Sequence, residues 1–255
     1  MDALTYARVH DQLAKLKLDR MAAVLDRLAA DAAQEDWPYL QFLDRLLDEE
    51  VATRLARSVE MRTKMARFPF LKTLDQFDFA FQPSVDERQV RDLASLRFLA
   101  HAENVILLGP PGVGKTHLAV ALGLSAIAQG QHVHFLSAAE LTVLPPEQMP
   151  QRLATLCKPK LLVIDEMGYV PFDRPAAHFL FQLVSRRYER GAILVTSNKS
   201  YGEWGDIFSD QVLAAAILDR LLHHSTTINI RGESYRLKDK RKAGVFHAGN
   251  GRAEA

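Results

Sequence analysis

The chain is short of several things, and each shortage removes a class of protein. Cys157 is the only cysteine among 255 residues, which excludes internal disulfides and points to a reducing compartment. Its context, Leu156-Cys157-Lys158-Pro159, reads as unstructured and argues against a catalytic thiol. Long apolar runs are missing too. The longest weakly polar stretch, residues 118–128, falls well short of the roughly 20 residues a membrane helix needs. The start, Met1-Asp2-Ala3-Leu4, lacks the basic-then-apolar pattern of a secretory signal. The expectation is a cytoplasmic protein with no membrane partner. A formal charge of +1 gives no global basic excess, so any nucleic-acid surface must be local. Residues 1–66 contain no glycine, and no internal repeat is present. Apolar content of 48% and charged content of 25% are ordinary for a globular chain with a sizeable core.

What is present is a complete phosphate-binding loop, Gly109-Pro110-Pro111-Gly112-Val113-Gly114-Lys115-Thr116. Val105-Ile106-Leu107-Leu108 before it reads as a buried strand, and the stretch from His117 to Leu124 reads as a helix. Glycines let backbone N–H groups turn inward around an anionic oxygen, and the helix aims its positive end at the same place. Lys115 supplies a point charge for the β/γ oxygens of a nucleotide, and the Thr116 hydroxyl suits Mg²⁺. ATP or GTP binding is the direct reading. A glycine-rich turn that happens to precede a lysine is the bland one.

Around the loop, the pattern divides the chain into a helical segment 1–67, a connector and helix 68–100, an α/β domain 101–240 and a tail 241–255 expected to be flexible. In the first segment, Leu13, Leu16, Met21, Val24, Leu25 and Leu28 recur at near-helical spacing. After a turn at Glu35-Asp36-Trp37, Pro38 opens a second helix that carries Leu40, Leu43, Leu46, Leu47, Val51 and Leu55 toward a core. Farther along it, Arg54, Arg57, Met61 and Lys64 form a mostly basic stripe, either a solvated face or a contact for DNA backbone phosphates. Ser84-Val85-Asp86-Glu87 is a capping box opening a helix through Leu99. The remaining strand candidates are residues 133–136, 161–164, 192–196 and 227–230. The three central runs are apolar without alternation, as in parallel strands covered on both faces.

Asp165-Glu166 follows the 161–164 strand, at the carboxyl edge where open α/β sheets bind ligands. Asp165 is placed to hold Mg²⁺ through its water shell and Glu166 to polarise an attacking water, unless the pair merely begins an acidic helix. Asn198, ending the strand before it, is either a sensor of the γ-phosphate or a polar turn residue. Arg220, inside Ile217-Leu218-Asp219-Arg220-Leu221-Leu222, is either half of a surface ion pair or an arginine offered to a neighbouring subunit. His132, His134, His223 and His224 have no acidic or cysteine partner at metal spacing and read as structural or surface residues.

Several longer stretches then carry a resemblance. Glu103-Asn104-Val105 leading into 109–117, Ile164-Asp165-Glu166-Met167-Gly168-Tyr169, the stretch 181–189, Thr196-Ser197-Asn198, Trp204-Gly205 and the stretch 216–236 are similar to the IstB-like ATP-binding proteins that assist insertion-sequence transposases. The similarity runs from the helical segment, including Phe68-Pro69, Lys72-Thr73-Leu74 and Phe77-Asp78-Phe79, nearly to Lys240. It implies an AAA+ P-loop NTPase with a doubly wound parallel sheet, preceded by a small all-α domain that helps grip DNA or a partner. It implies an ATP- and Mg²⁺-dependent, self-assembling ATPase that remodels double-stranded DNA and stimulates a cognate transposase. By its pattern Lys115, Thr116, Asp165, Glu166 and Asn198 form the site in cis, with His117 beside the nucleotide and Arg220 given in trans. The segment between Glu140 and Leu161, holding Leu144-Pro145-Pro146 and Met149-Pro150, is shorter than the resemblance implies. A DnaC-type helicase loader, a non-hydrolysing ATP-locked DNA adaptor and a small-molecule P-loop kinase are the other readings.

Overall fold

The computed structural model describes residues 3–208 and 210–238; the tail expected to be flexible at 241–255 lies outside them. Two compact units divide the chain, Met1–Met61 and Arg62–Ala255. In the first, α1 (Ala3–Lys15) and α2 (Asp19–Gln34) precede α3 (Tyr39–Ala66), within which the border falls. The apolar spacing from Leu13 to Leu28 does not make one helix. Lys17 adopts a left-handed φ of 57° and the chain turns there, which leaves Leu16 exposed. Leu13, Met21, Val24, Leu28 and Leu46 form the small core of this unit, with Val9, Trp37 and Phe42 against it. Pro38 stands one residue before α3, and its carbonyl accepts from the Phe42 N–H.

The apolar face expected of α3 is mostly uncovered. Leu46 is 5% exposed, whereas Leu40 is 80%, Val51 53% and Leu55 61% exposed, with Leu43 and Leu47 close behind. Periodicity tells which residues share a helix face, and a neighbour must still cover it. Among the described residues, the small core reaches α3 at Phe42 and Leu46. Glu50 adds a polar tie, its carboxylate accepting the Arg20 and Met21 N–H groups at 3.0 and 3.1 Å in the first turn of α2. These donors have no partner inside the helix.

In the second unit, the expected single helix from Ser84 to Leu99 is two. Leu96 takes a left-handed φ of 66° between α4 (Glu87–Ala94) and α5 (Arg97–Ala100). Asp86, not Ser84, caps α4 by accepting from the Arg88 N–H. Ser84 instead exchanges hydrogen bonds with the Arg231 backbone, at 2.7 and 2.9 Å. Then β1 (Asn104–Leu108), α6 (Lys115–Ala128), β2 (Val133–Ser137), α7 (Ala138–Thr142), α8 (Met149–Leu156) and β3 (Leu161–Met167) alternate. They are followed by α9 (Arg174–Arg187), β4 (Ala192–Ser197), α10 (Trp204–Phe208), α11 (Gln211–Leu222) and β5 (Ser225–Asn229). The last strand begins and ends slightly earlier than its apolar residues suggest.

All five strands are parallel in the order β2-β3-β4-β1-β5. Such a sheet needs both faces covered, which is why β1, β3 and β4 read as continuous apolar runs. Ile106, Leu162, Ile164, Ile193 and Val195 join one core with residues of α7 to α11. The alternate residues Val105, Leu107, Val163 and Leu194 are equally buried, on the side where α6 lies. The short 141–160 segment is well folded. Pro146 and Pro150 sit at helix starts, where a missing N–H costs nothing, and Leu153 and Leu156 enter the core. Cys157 therefore caps α8, half-buried against that core, rather than lying in an unstructured stretch.

Arg187 pins this unit together. It is 2% exposed and donates to the carbonyls of Leu156, Pro159, Lys160 and Ala192, tying α8 and α9 to the start of β4. Burial lowers its pKa to about 10, so it stays charged at neutral pH.

Candidate functional site

The inner strand β1, between β4 and β5, delivers the phosphate loop to the carboxyl edge of the sheet, and α6 starts at Lys115. Gly112 and Gly114 hold φ of 83° and 104°, a region that favours glycine. Space forbids a side chain as well. A Cβ on Gly114 would lie 2.6 Å from the Phe77 ring, and one on Gly112 would strike the Ser234 side chain. The loop is thus clasped by the connector on one side and by the segment after β5 on the other. The Tyr235 N–H donates to the Gly112 carbonyl at 2.9 Å, and Lys238 pairs with Asp78 at 2.7 Å. Lys238 also lies 4.8 Å from the Phe81 and Tyr235 ring centres.

A cavity of about 430 Å³ opens over the loop, within the range of small-molecule sites. Lys115 lines it at 6% exposure, its Nζ donating to the Gly109 and Pro110 carbonyls at 2.7 and 2.8 Å. Burial pushes its pKa down and the Asp165 charge pushes it back. The Thr116 hydroxyl donates to the buried Asp165 carboxylate, 3.0 and 3.1 Å from its two oxygens. The Thr196 hydroxyl at the end of β4 donates to the same carboxylate at 2.5 Å and accepts the Glu166 N–H at 3.0 Å. A hydroxyl and a carboxylate converging on the loop are a hard oxygen pair of the kind that holds Mg²⁺.

Glu166 is exposed, lines the cavity and has a φ of 63°. It sits where the β3–β4 register shifts between Ile164 and Met167. The bulge turns its carboxylate toward the cavity while its neighbour Asp165 stays buried. Left-handed backbone at a non-glycine residue costs about 1–2 kcal/mol, so the fold holds this side chain out against a local preference. His117 also lines the cavity. Its Nε2 donates to the Thr73 carbonyl at 2.9 Å and its ring packs edge-on against Phe77, so α6 is tied to the connector.

Asn198 is expected in this site and Arg220 in that of a neighbouring subunit. Asn198 does not line the cavity; its Oδ1 is buried beside Gly168 without a hydrogen-bond partner among the described residues. Arg220 on α11 lies 4.8 Å from the Phe181 ring centre and donates to the Ala216 carbonyl. Of the basic stripe, Arg57 and Lys64 are exposed on α3. Arg54 donates to Glu50 at 2.7 Å and to the Lys17 carbonyl at 2.8 Å. Conversely, Phe77, Tyr169, Thr196, Tyr235 and Arg236 line the cavity without having been singled out for it. Tyr235 and Arg236 lie far along the chain from the loop, and only membership of the similar 216–236 stretch signalled them.

Comparison with known proteins agrees with this geometry. The family model for the IstB-like ATP binding protein matches residues 11–243. The ATP-binding protein of insertion sequence IS21 from Pseudomonas aeruginosa is 50% identical over 239 residues, covering 92% of this chain and 90% of that one. Its counterpart from IS5376 of Geobacillus stearothermophilus is 46% identical over 239 residues, covering 92% and 95%. Among solved structures, DnaI superposes with a TM-score of 0.53 at 22% identity over 67% of this chain and 92% of that one. AMPPCP-bound DnaA from Aquifex aeolicus gives 0.50 at 20% identity, over 70% and 57%. At that identity the two structures speak for the fold alone, a parallel α/β sheet with a phosphate loop. By the extent of the family match and of the relatives' identity, the chain belongs to the family of IstB-like ATP binding proteins.

Proposed function

We propose that the chain is a Mg²⁺-dependent ATPase that assembles on double-stranded DNA and assists the transposase of its insertion sequence. The observation that carries this reading is the convergence of Lys115, Thr116, Asp165 and Glu166 around one cavity at the end of β1. The loop N–H groups and Lys115 grip the phosphate chain, with the positive end of α6 behind them. Thr116 and Asp165 would hold Mg²⁺, which when bound would supply charge neutralisation to the triphosphate. Glu166 accepts a proton from the attacking water. Asn198 stands behind Gly168 and outside the cavity lining, so it takes the role of γ-phosphate sensor only when its side chain turns into the cavity; Arg220 reaches the site of a neighbouring protomer.

On the DNA side, the reading assigns backbone phosphates to α3 and the helical segment 1–67. Arg57 and Lys64 are exposed there, and Arg54 contributes what its ties to Glu50 and Lys17 leave of its guanidinium fork. The names of the most similar relatives, ATP-binding proteins of insertion sequences, support the transposition setting. A helicase loader shares the nucleotide site and differs in its partner; the helical segment, which lies within the family match, favours the transposase. A non-hydrolysing adaptor has no use for a carboxylate held out at Glu166. The test is phosphate release and sedimentation with ATP, Mg²⁺ and linear duplex. The expected result is assembly on DNA with hydrolysis that rises when duplex is added. A protein that stays monomeric and inert with both overturns the reading.

A further inference from the structure

At the opposite edge of the sheet, the structure assembles a group that no local spacing announces. The turn after α9 and the end of α11 both precede strands, so they meet at the amino edge, away from the phosphate loop. There one ligand atom each from Glu189, His223 and His224 lies within 4.8 Å of the others. His224 Nε2 is 3.6 Å from Glu189 Oε1, and the two imidazole centres are 4.1 Å apart. Tetrahedral ligands at about 2.05 Å from a metal are about 3.3 Å from one another. Small side-chain rotations therefore close the set on one ion.

Further features favour a cation here. The Tyr188 hydroxyl is 2.7 Å from His223 Nδ1; a partner on one ring nitrogen fixes the ring and leaves the other free for a metal. α9 and α11 both end at this place, at Tyr188 and His223, so two helix carboxyl ends direct negative potential at it. Glu189 is held at a left-handed φ of 56°, presenting its carboxylate by a backbone that a non-glycine residue seldom adopts. Asp219 adds negative charge beside Tyr188, against which Arg220 acts. All three ligand residues are exposed, so an ion can reach them.

We propose that Glu189, His223 and His224 form a site for a divalent transition metal of the zinc type, with Tyr188 as the residue that orients His223. Two imidazoles and one carboxylate are an established Zn²⁺ ligand set, and they leave a fourth position open. Binding ties the end of α11 to the turn after α9. Because Arg220 stands one turn before His223, the ion also steadies the helix that carries it; this consequence alone rests on the functional reading above.

The experiment titrates the chelator-treated full chain, without nucleotide, with Co²⁺ followed by ligand-field absorbance and then with competing Zn²⁺. The expected result is one saturable equivalent displaced by Zn²⁺. Glu189→Gln, His223→Gln and His224→Gln should each weaken it by about 100-fold or more, and Tyr188→Phe by about tenfold. In parallel, Zn²⁺ should raise the melting temperature of the parent chain but not of Glu189→Gln. Failure to bind one equivalent, or binding unchanged in the three ligand variants, overturns the site. The outcome does not depend on whether the phosphate loop binds ATP.

Discussion

At the residue scale, burial decides how each functional group behaves. Lys115 is a cation held mostly out of water against two carbonyls, a position that becomes favourable once phosphate oxygens replace them. Lys115→Ala should lower ATP affinity at least 100-fold in an equilibrium titration, and retained affinity would remove the loop from the argument. Glu166 tests strain instead. Replacing it with glycine relieves a left-handed φ worth about 1–2 kcal/mol, less about 0.5–1 kcal/mol for added freedom in the unfolded chain. Glu166→Gly should melt no lower than the parent chain while losing turnover; a clear drop in melting temperature would show that its backbone is not strained.

Histidine burial sets a pH dependence. Burial pushes the His117 and His134 imidazoles below the ordinary value of 6.5. Below that pH the unfolded chain takes up protons that the folded chain refuses, so stability falls as the solution is acidified. Melting temperature should decline from pH 7 to pH 5, and His117→Gln should decline less steeply. Equal slopes would contradict the assignment to His117.

At the scale of elements, the buried pieces were legible and the covered or uncovered faces were not. The apolar runs of β1, β3 and β4 announced a parallel sheet, because strands buried on both sides have no polar alternation to hide them. The loop and its Asp165-Glu166 partner were legible for a similar reason: the loop follows β1 directly, the acidic pair lies at the end of β3, and the carboxyl edge brings strand ends together. The breaks at Lys17 and Leu96 were not, since left-handed residues that are not glycine leave no mark in composition. Nor was the exposure of α3, which depends on how much of it the small core around α1 and α2 can reach. This yields a paired test: Leu46→Ala should destabilise its unit by about 2–5 kcal/mol, and Leu47→Ala by no more than about 0.5 kcal/mol. Denaturant unfolding distinguishes them, and comparable losses would mean that α3 is covered along Leu47 after all.

At the scale of the whole molecule, the site draws on segments far apart in sequence. Residues of the connector near 77, the loop near 112 and the segment near 235 share one cavity wall, so the sequence could show the loop but not the wall. Assembly adds the contact that Arg220 is proposed to make. Arg220→Ala and Glu166→Gln should each be inactive alone, yet partly active when mixed, because one protomer then supplies the arginine and the other the carboxylate. No recovery on mixing would place Arg220 outside the reaction. DNA affinity resting on backbone phosphates should fall with salt, log against log, at a slope near 0.9 per neutralised phosphate. The most direct measurement of the central claim pairs ATP binding with phosphate release in Glu166→Gln, on DNA, beside the parent chain. The expected result is unchanged ATP affinity with turnover reduced by about 100-fold or more. Near-normal phosphate release from that variant, or a parent chain that binds no ATP, would contradict it.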